Sequence, residues 1–491
     1  MRNIKQIIII LAGLVALTSC DKLVAIDDPI DSITTNQVFR DDVQAKAAMA
    51  GVYSKLANGN GQGSASNHFS AGLSTVLGGL SADELSVRLT GEDNPFLQFS
   101  TNKILVQNAV SPELWSSAYT TIYNANSVIE GIAASTSSSL SQGVRKKLTA
   151  ESKVIRAFCY FYLVNFFGDL PLVLTVDFNE TRNYTRTPVA DVYKQIIKDL
   201  KEAQVDLPTE NTGPGGARIY ADKWAATALL ARAYLYTRDY ENAYREASAV
   251  IANTAQFGLE MDLDKPFLKT SREAIWQFEN YTTNYSRGNA TGEGAFLIPG
   301  RNSDADPLFS LIYYHMTDEL VQAFEPTDKR LSQWVGVSPV NNTGSTKYFA
   351  YKYKMGYHNR IIGGEATEYY TALRLAEQFL IRAEAAANGA AGLTDAIDDL
   401  NAIRFRAGLN DLPDNLSQQD VFAAIEKERR TELFLEWGHR WFDLKRTGKA
   451  SSELSQMSAK QPWAGDYQLL YPIPVNEIIN NRNLAPNPGY N

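Results

Sequence analysis

The chain has 491 residues, 44% hydrophobic and 21% charged, a globular composition with enough apolar mass for a sizeable core. Its formal net charge is −8 and it has no long basic run, which argues against nucleic acid as a partner, because neutralising phosphates needs clustered Lys and Arg. Two cysteines and four scattered histidines, none in a ligand spacing such as HExxH, offer no disulfide framework and no cysteine- or histidine-based metal site. No cofactor is expected.

At the N-terminus, Arg2 and Lys5 precede an apolar run at 7–17 that is too short to cross a bilayer as a helix. Leu17-Thr18-Ser19-Cys20 then resembles a bacterial lipobox. Residues 1–19 are therefore expected to be a lipoprotein signal peptide. Cys20 would carry the lipid and anchor the body to a membrane, with 20–35 as an extended tether.

Helical period runs through 39–56, 112–134, 140–167, 188–203, 221–236, 240–251, 371–388, 393–406 and 418–442. Ser111-Pro112, Thr187-Pro188 and Ser417 offer helix starts, because Ser and Thr can cap and Pro fits a first turn. Cys159, inside FCYFY, is expected to be a buried small hydrophobe. Ala231, Tyr234, Tyr240, Ala243 and Ala247 have the small–aromatic spacing of a tetratricopeptide repeat, and 371–408 repeats the design loosely. Between these helices, 58–111 and 260–370 lose the period. NTGPGGAR at 211–218 reads as a turn and lacks the lysine of a phosphate loop. Short strand-like pieces remain: AIWQFE, KYFAYKYK and WVGV. The predicted fold is mainly α, a tetratricopeptide-like helical-repeat scaffold over about 112–257 and 371–446. A loop-rich irregular half with short strands covers 58–111 and 260–370, all in one domain from 36 to 491.

The richest chemistry lies in ERRTELFLEWGHRWFDLKR, 428–446, with four acids, five Lys or Arg, one His and two Trp. On one helix at 100° per residue, Phe422, Ile425, Arg429, Leu433, Glu436 and Arg440 fall within about 60° of one direction, with Glu432 at the edge. The charges thus share the apolar face. Arg429, Glu432, Glu436 and Arg440 are spaced to pair along the helix as a structural ionic network. Glu432 and Glu436, about 6 Å apart at Cβ on one helical turn, also meet the separation of a glycosidase carboxylate pair. An arginine within a turn of each holds it ionised, however, the opposite of what a general acid needs. We read no catalytic residues here.

Together with the lipobox, several segments resemble the SusD/RagB family of outer-membrane nutrient-uptake lipoproteins of the Bacteroidetes. They are LWSSAYTTIYNANSVIEGI, RAFCYFYLVNFFGDLPLV, EAIWQF, LAEQFLIRAEAAA, LNAIRFRAGL, the 428–446 stretch and LLYPIPVNEIINNRNLAPNPGY. The final run departs slightly, with Pro486 where the family commonly has Gln. The resemblance implies a surface-exposed, non-enzymatic lipoprotein built on four tetratricopeptide-like helix pairs. It implies binding of oligosaccharides, or of peptides in some branches, and delivery to a SusC-like TonB-dependent transporter.

The irregular half is the expected ligand face, because sugar rings suit an aromatic platform with polar side chains beside it. Candidate contacts are Asp83, Arg88, Asn94 and Phe96 in one segment and Tyr281, Tyr285, Arg301 and Trp334 in another. Trp276, within AIWQFE, is expected to be core. A peptide-binding lid of the same transporter type is the alternative, and a lipid-anchored glycosidase a weaker one.

Overall fold

The computed structural model describes residues 38–59, 68–88, 91, 94–210, 213–300, 313–338 and 346–490. The signal peptide, Cys20, the tether and Arg301 lie outside the described residues.

Helices α1 (Asp42–Asn58), α2 (Ser74–Ser81), α3 (Ser111–Ala134), α4 (Gln142–Phe167), α5 (Val189–Asp206), α6 (Lys223–Tyr236) and α7 (Tyr240–Ala252) precede a long irregular insertion. Helices α8 (Leu375–Ala385), α9 (Leu393–Ala407), α10 (Gln418–Glu432) and α11 (His439–Arg446) follow it. Several begin on side-chain caps that satisfy orphan N–H groups. Asp41 accepts from Val43 and Gln44, Asp222 from Trp224 and Ala225, and Ser417 from Asp420. Ser111, expected as a cap, instead lies inside α3, where its hydroxyl is buried without a hydrogen-bond partner. Asn108 takes over, its Oδ1 accepting from the amides of Val110 and Ser111.

Neighbouring helices pack in order from α3 to α10, and α7 packs on α8 although residues 253–374 lie between them. The repeat array is continuous in space and interrupted only in sequence. Its central pillar is α4. Its apolar run has no solvated face, and Phe158, Cys159, Phe161, Phe166 and Phe167 are all buried, as a helix hydrophobic all round must be. Phe158 meets the rings of Trp276, Phe278 and Trp437 edge-on at 5.2–5.6 Å. Trp276 and Cys159 are fully enclosed, as read from the sequence.

The insertion contributes antiparallel two-stranded pairs. β1 (Leu85–Val87) pairs with β3 (Tyr314–Met316), β2 (Ala274–Phe278) with β6 (Tyr370–Arg374), and β4 (Val335–Val337) with β5 (Tyr348–Ala350). β2–β6 is buried on both faces and leads directly into α8, so the helix predicted from 371 starts at Leu375 instead. The helix α2 (STVLGGLS) is buried on every side and has no helical-period signal in the sequence.

Candidate functional site

The 428–446 stretch is not one helix. α10 stops at Glu432, and Leu435, Trp437 and Gly438 take left-handed backbones before α11 begins. The turn is held against α2, where a Cβ on Gly78 would lie 2.5 Å from the Cα of Gly438. Trp437 stacks on Tyr370 at 4.4 Å and donates through Nε1 to the Thr371 carbonyl (2.7 Å).

With the helix broken, the expected pairs along it do not form, and each charge has partners on other elements. Arg429 pairs with Asp443 (2.7 Å), and Arg440 with Asp83 (2.9 Å) and Glu426 (3.0 Å). Glu432 meets Arg330 (3.1 Å), Arg374 (2.5 Å) and Arg406. Glu436 meets Arg374 (2.7 Å) and Lys352 (2.5 Å), and Arg374 and Arg406 also share Glu273 (2.9 and 2.6 Å). Lys352 and Arg374 donate to the Glu432 carbonyl as well, placing cations on the negative end of α10. The network is buried, and it rivets the irregular half (Arg330, Lys352, Arg374) to α9, α10 and the turn after it.

Both carboxylates of the pair are occupied by buried ion pairs. Burial opposes ionisation of Glu432, but Arg406, Arg374 and Arg330 override it and hold the carboxyl well below its usual range. Burial, with Arg232 and Arg429 nearby, holds the His439 imidazole well below its ordinary value. Neither group is poised to donate a proton near neutrality.

Two expected ligand contacts are corrected here. Trp334 is 0% exposed; its Nε1 donates to the Leu263 carbonyl (2.6 Å), and its ring lies 5.0 Å from Lys352 Nζ and 5.7 Å from the Arg406 guanidinium. It is the aromatic lid of the ionic network. Asp83 is buried between Arg440 and Arg430, the latter 2.7 Å away. Both residues sit in segments without helical period, where sequence carries no burial signal.

The remaining candidates fall in two groups. Arg88 is exposed at the end of β1, its amide donating to the Tyr313 carbonyl (2.9 Å), and Tyr313 is itself 54% exposed. Phe96, half-buried beside them, meets Tyr314 edge-on at 5.6 Å. Asn94 caps the short helix Pro95–Ser100, accepting from the Phe96 amide (3.1 Å). The second group is the loop at 279–290, where Tyr281 and Tyr285 are 55% and 82% exposed. That loop is fastened to 356–364: Asn289 exchanges hydrogen bonds with Ile361, and Gly363 donates to Thr282. Gly288, with φ +54°, would bring a Cβ within 2.7 Å of the Ile361 carbonyl oxygen. Tyr357, half-exposed, lies under the Arg360 guanidinium (3.6 Å). The helix Gly292–Leu297 joins the groups, Phe296 facing Tyr314 and Gly294 packed on Met355.

A cavity of about 480 Å³ opens beneath Tyr281, between α1 and the irregular half. Tyr53, Tyr220 and Tyr369 form its aromatic walls, and Glu279, Lys269 and Glu365 supply charge. Sequence reasoning missed these tyrosines, since positions 53, 220 and 369 belong to three separate segments that only folding assembles. Among the described residues no His, Cys, Asp and Glu cluster could hold a metal ion, and no helix is long and apolar enough to cross a membrane.

Comparison with known proteins bears on this architecture. Residues 62–235 match the profile of a family described as "Starch-binding associating with outer membrane", and residues 272–490 match the SusD family. The chain belongs to the SusD/RagB family. It is similar to SusD-like protein P2 of Formosa agariphila, 26% identical with both chains fully covered. It is also similar to the starch-binding protein SusD of Bacteroides thetaiotaomicron, 25% identical over 70% of this chain and 72% of that one. Among solved structures, a laminarin-binding SusD-like protein is 25% identical with a TM-score of 0.73, covering 92% of this chain and all of that one. A SusD superfamily protein from Bacteroides vulgatus, 21% identical with a TM-score of 0.75, covers 92% and 99% and shares the fold. Within this SusD/RagB frame, the split family match falls on the scaffold's own interruption, since residues 236–271 contain α7 and the start of the insertion.

Proposed function

We propose that this SusD/RagB chain captures oligosaccharides on its irregular face and hands them to a SusC-like TonB-dependent transporter. It would be held at the outer membrane by lipid on Cys20. The ligand would lie between the ledge of Arg88, Phe96 and Tyr313 and the loop carrying Tyr281 and Tyr285. The observation that carries the reading is the exposure of these tyrosines beside arginine and asparagine on a fastened, non-repeat surface. An aromatic face offers stacking to sugar C–H groups, and pre-ordering the loop lowers the entropy lost on binding. Tyrosine supplies the platform because Trp276, Trp334, Trp437 and Trp441 are enclosed in the core. Relatives named for starch and laminarin binding support a glucan as the first ligand to try.

The test is retention of the purified protein in polysaccharide-containing native gels. Tyr285→Ala combined with Tyr313→Ala should abolish the retardation seen for the wild type. Unchanged migration of the double variant relative to wild type would refute this placement of the site.

A further inference from the structure

A second cavity, of about 350 Å³, lies on the scaffold between α6, α8, α10 and α11, lined by none of the residues assigned to the glycan face. Its wall carries six Arg or Lys side chains and only three carboxylates. The carboxylates are already engaged. Glu384 is held by Arg446 (2.7 Å), Asp443 by Arg429 (2.7 Å) and Arg446 (2.8 Å), and Glu426 by Arg440 (3.0 Å) and Lys449. Counting the outside partners Asp83, which meets Arg430 and Arg440, and Glu453, 4.0 Å from Arg440, leaves one cation more than anions, six against five. Arg238 has no carboxylate within ion-pair distance among the described residues; its Nη2 reaches only the Arg446 carbonyl, at 3.4 Å.

Apart from Arg430, whose Nη2 lies 2.7 Å from Asp83, two buried polar atoms of the wall residues also lack hydrogen-bond partners. Arg429 is 3% exposed and uses Nε and Nη2 on Asp443, which leaves Nη1 buried with no acceptor. The Tyr236 hydroxyl is likewise buried with no hydrogen-bond partner. An unmatched buried guanidinium nitrogen is unfavourable, and a cavity with surplus positive charge is matched by an oxyanion. The same wall carries Phe422 and Ile425, an apolar surface for a carbon frame.

We propose that this cavity binds a small organic oxyanion. Its carboxylate, sulfate or phosphate group would pair with Arg238 and Lys449, with its carbon frame against Phe422 and Ile425. The probes are inorganic sulfate, inorganic phosphate, glucuronate and neutral glucose, titrated calorimetrically into the full chain at low ionic strength. Saturable binding of the anions, tightest for glucuronate and absent for glucose, is expected. Arg238→Ala and Lys449→Ala alter exposed side chains and should preserve the fold while weakening anion binding roughly tenfold each. Tyr285→Ala with Tyr313→Ala should leave it unchanged, which separates this site from the glycan face. Absence of saturable anion binding, or binding untouched by both charge substitutions, would overturn the proposal; equal affinity for glucuronate and sulfate would overturn its organic part.

Discussion

In α4, Tyr160 and Tyr162 are fully enclosed, and the Tyr160 hydroxyl both donates to and accepts from the backbone of Val173. On the 279–290 loop, Tyr281 and Tyr285 are 55% and 82% exposed. The same residue type thus builds a core in the repeat scaffold and a platform on the irregular face. The difference lies in what surrounds each ring. α4 is wrapped by helices and by the β2–β6 pair, which compete for its aromatic surface. The tyrosine loop is fixed through its backbone and Asn289, which leaves its rings to solvent. Aromatic content alone therefore says little about function; the fastening of the backbone decides whether a ring is core or contact.

This contrast can be broken at the rivet between the halves. Arg374 bridges Glu273, Glu432 and Glu436. Arg374→Ala or Glu432→Ala leaves buried charges uncompensated and should lower stability by about 3–5 kcal/mol. Denaturant unfolding and soluble yield would show it. Trp334→Ala should lose a similar, somewhat smaller amount, within about 3–5 kcal/mol for a buried aromatic. The truncated protein, once folded, should still bind glycan. Lost binding at wild-type stability would return Trp334 to the ligand face.

A smaller effect comes from pH. Burial pushes Glu293 up to about 8 despite hydrogen bonds from Thr75 and Tyr370, and burial with Asp83 pushes Glu84 up to about 8. The folded protein then keeps protons that the unfolded chain releases near 4.5. Their contribution to stability is complete below that value and fades as pH climbs towards about 8. Glu432 and Asp443 have the opposite sign: their depressed values give a contribution that is present above the ordinary carboxylate range and lost as pH falls. Glu293→Gln should flatten the decline between pH 5 and 8 by about 1.4 kcal/mol per pH unit at most, read from chemical unfolding across that range. An unchanged slope would mean that Glu293 ionises normally in the fold. The smallest stability effect belongs to Tyr285→Ala with Tyr313→Ala, within about 0.5 kcal/mol per site, although glycan retention should vanish. A large drop in melting temperature would instead make those rings structural.

Much of the scaffold was legible in the sequence because helical period and capping are local. α3 to α7 and α9 fall within a few residues of their periodic segments, and buried Trp276 and Cys159 follow from their apolar surroundings. The 418–442 segment misled because period cannot reveal a buried turn whose left-handed residues are held by α2. Asp83 and Trp334 misled because, in an irregular segment, nothing nearby marks a side chain as enclosed. The family and the repeat design were thus determined by sequence alone. Which arginine neutralises Glu432, which tyrosines meet solvent and where unpaired donors gather were decided only by tertiary structure. Those relations join residues tens or hundreds of positions apart, such as Glu432 with Arg330 and Asp83 with Arg440, and burial sets their energies once the chain has closed around them.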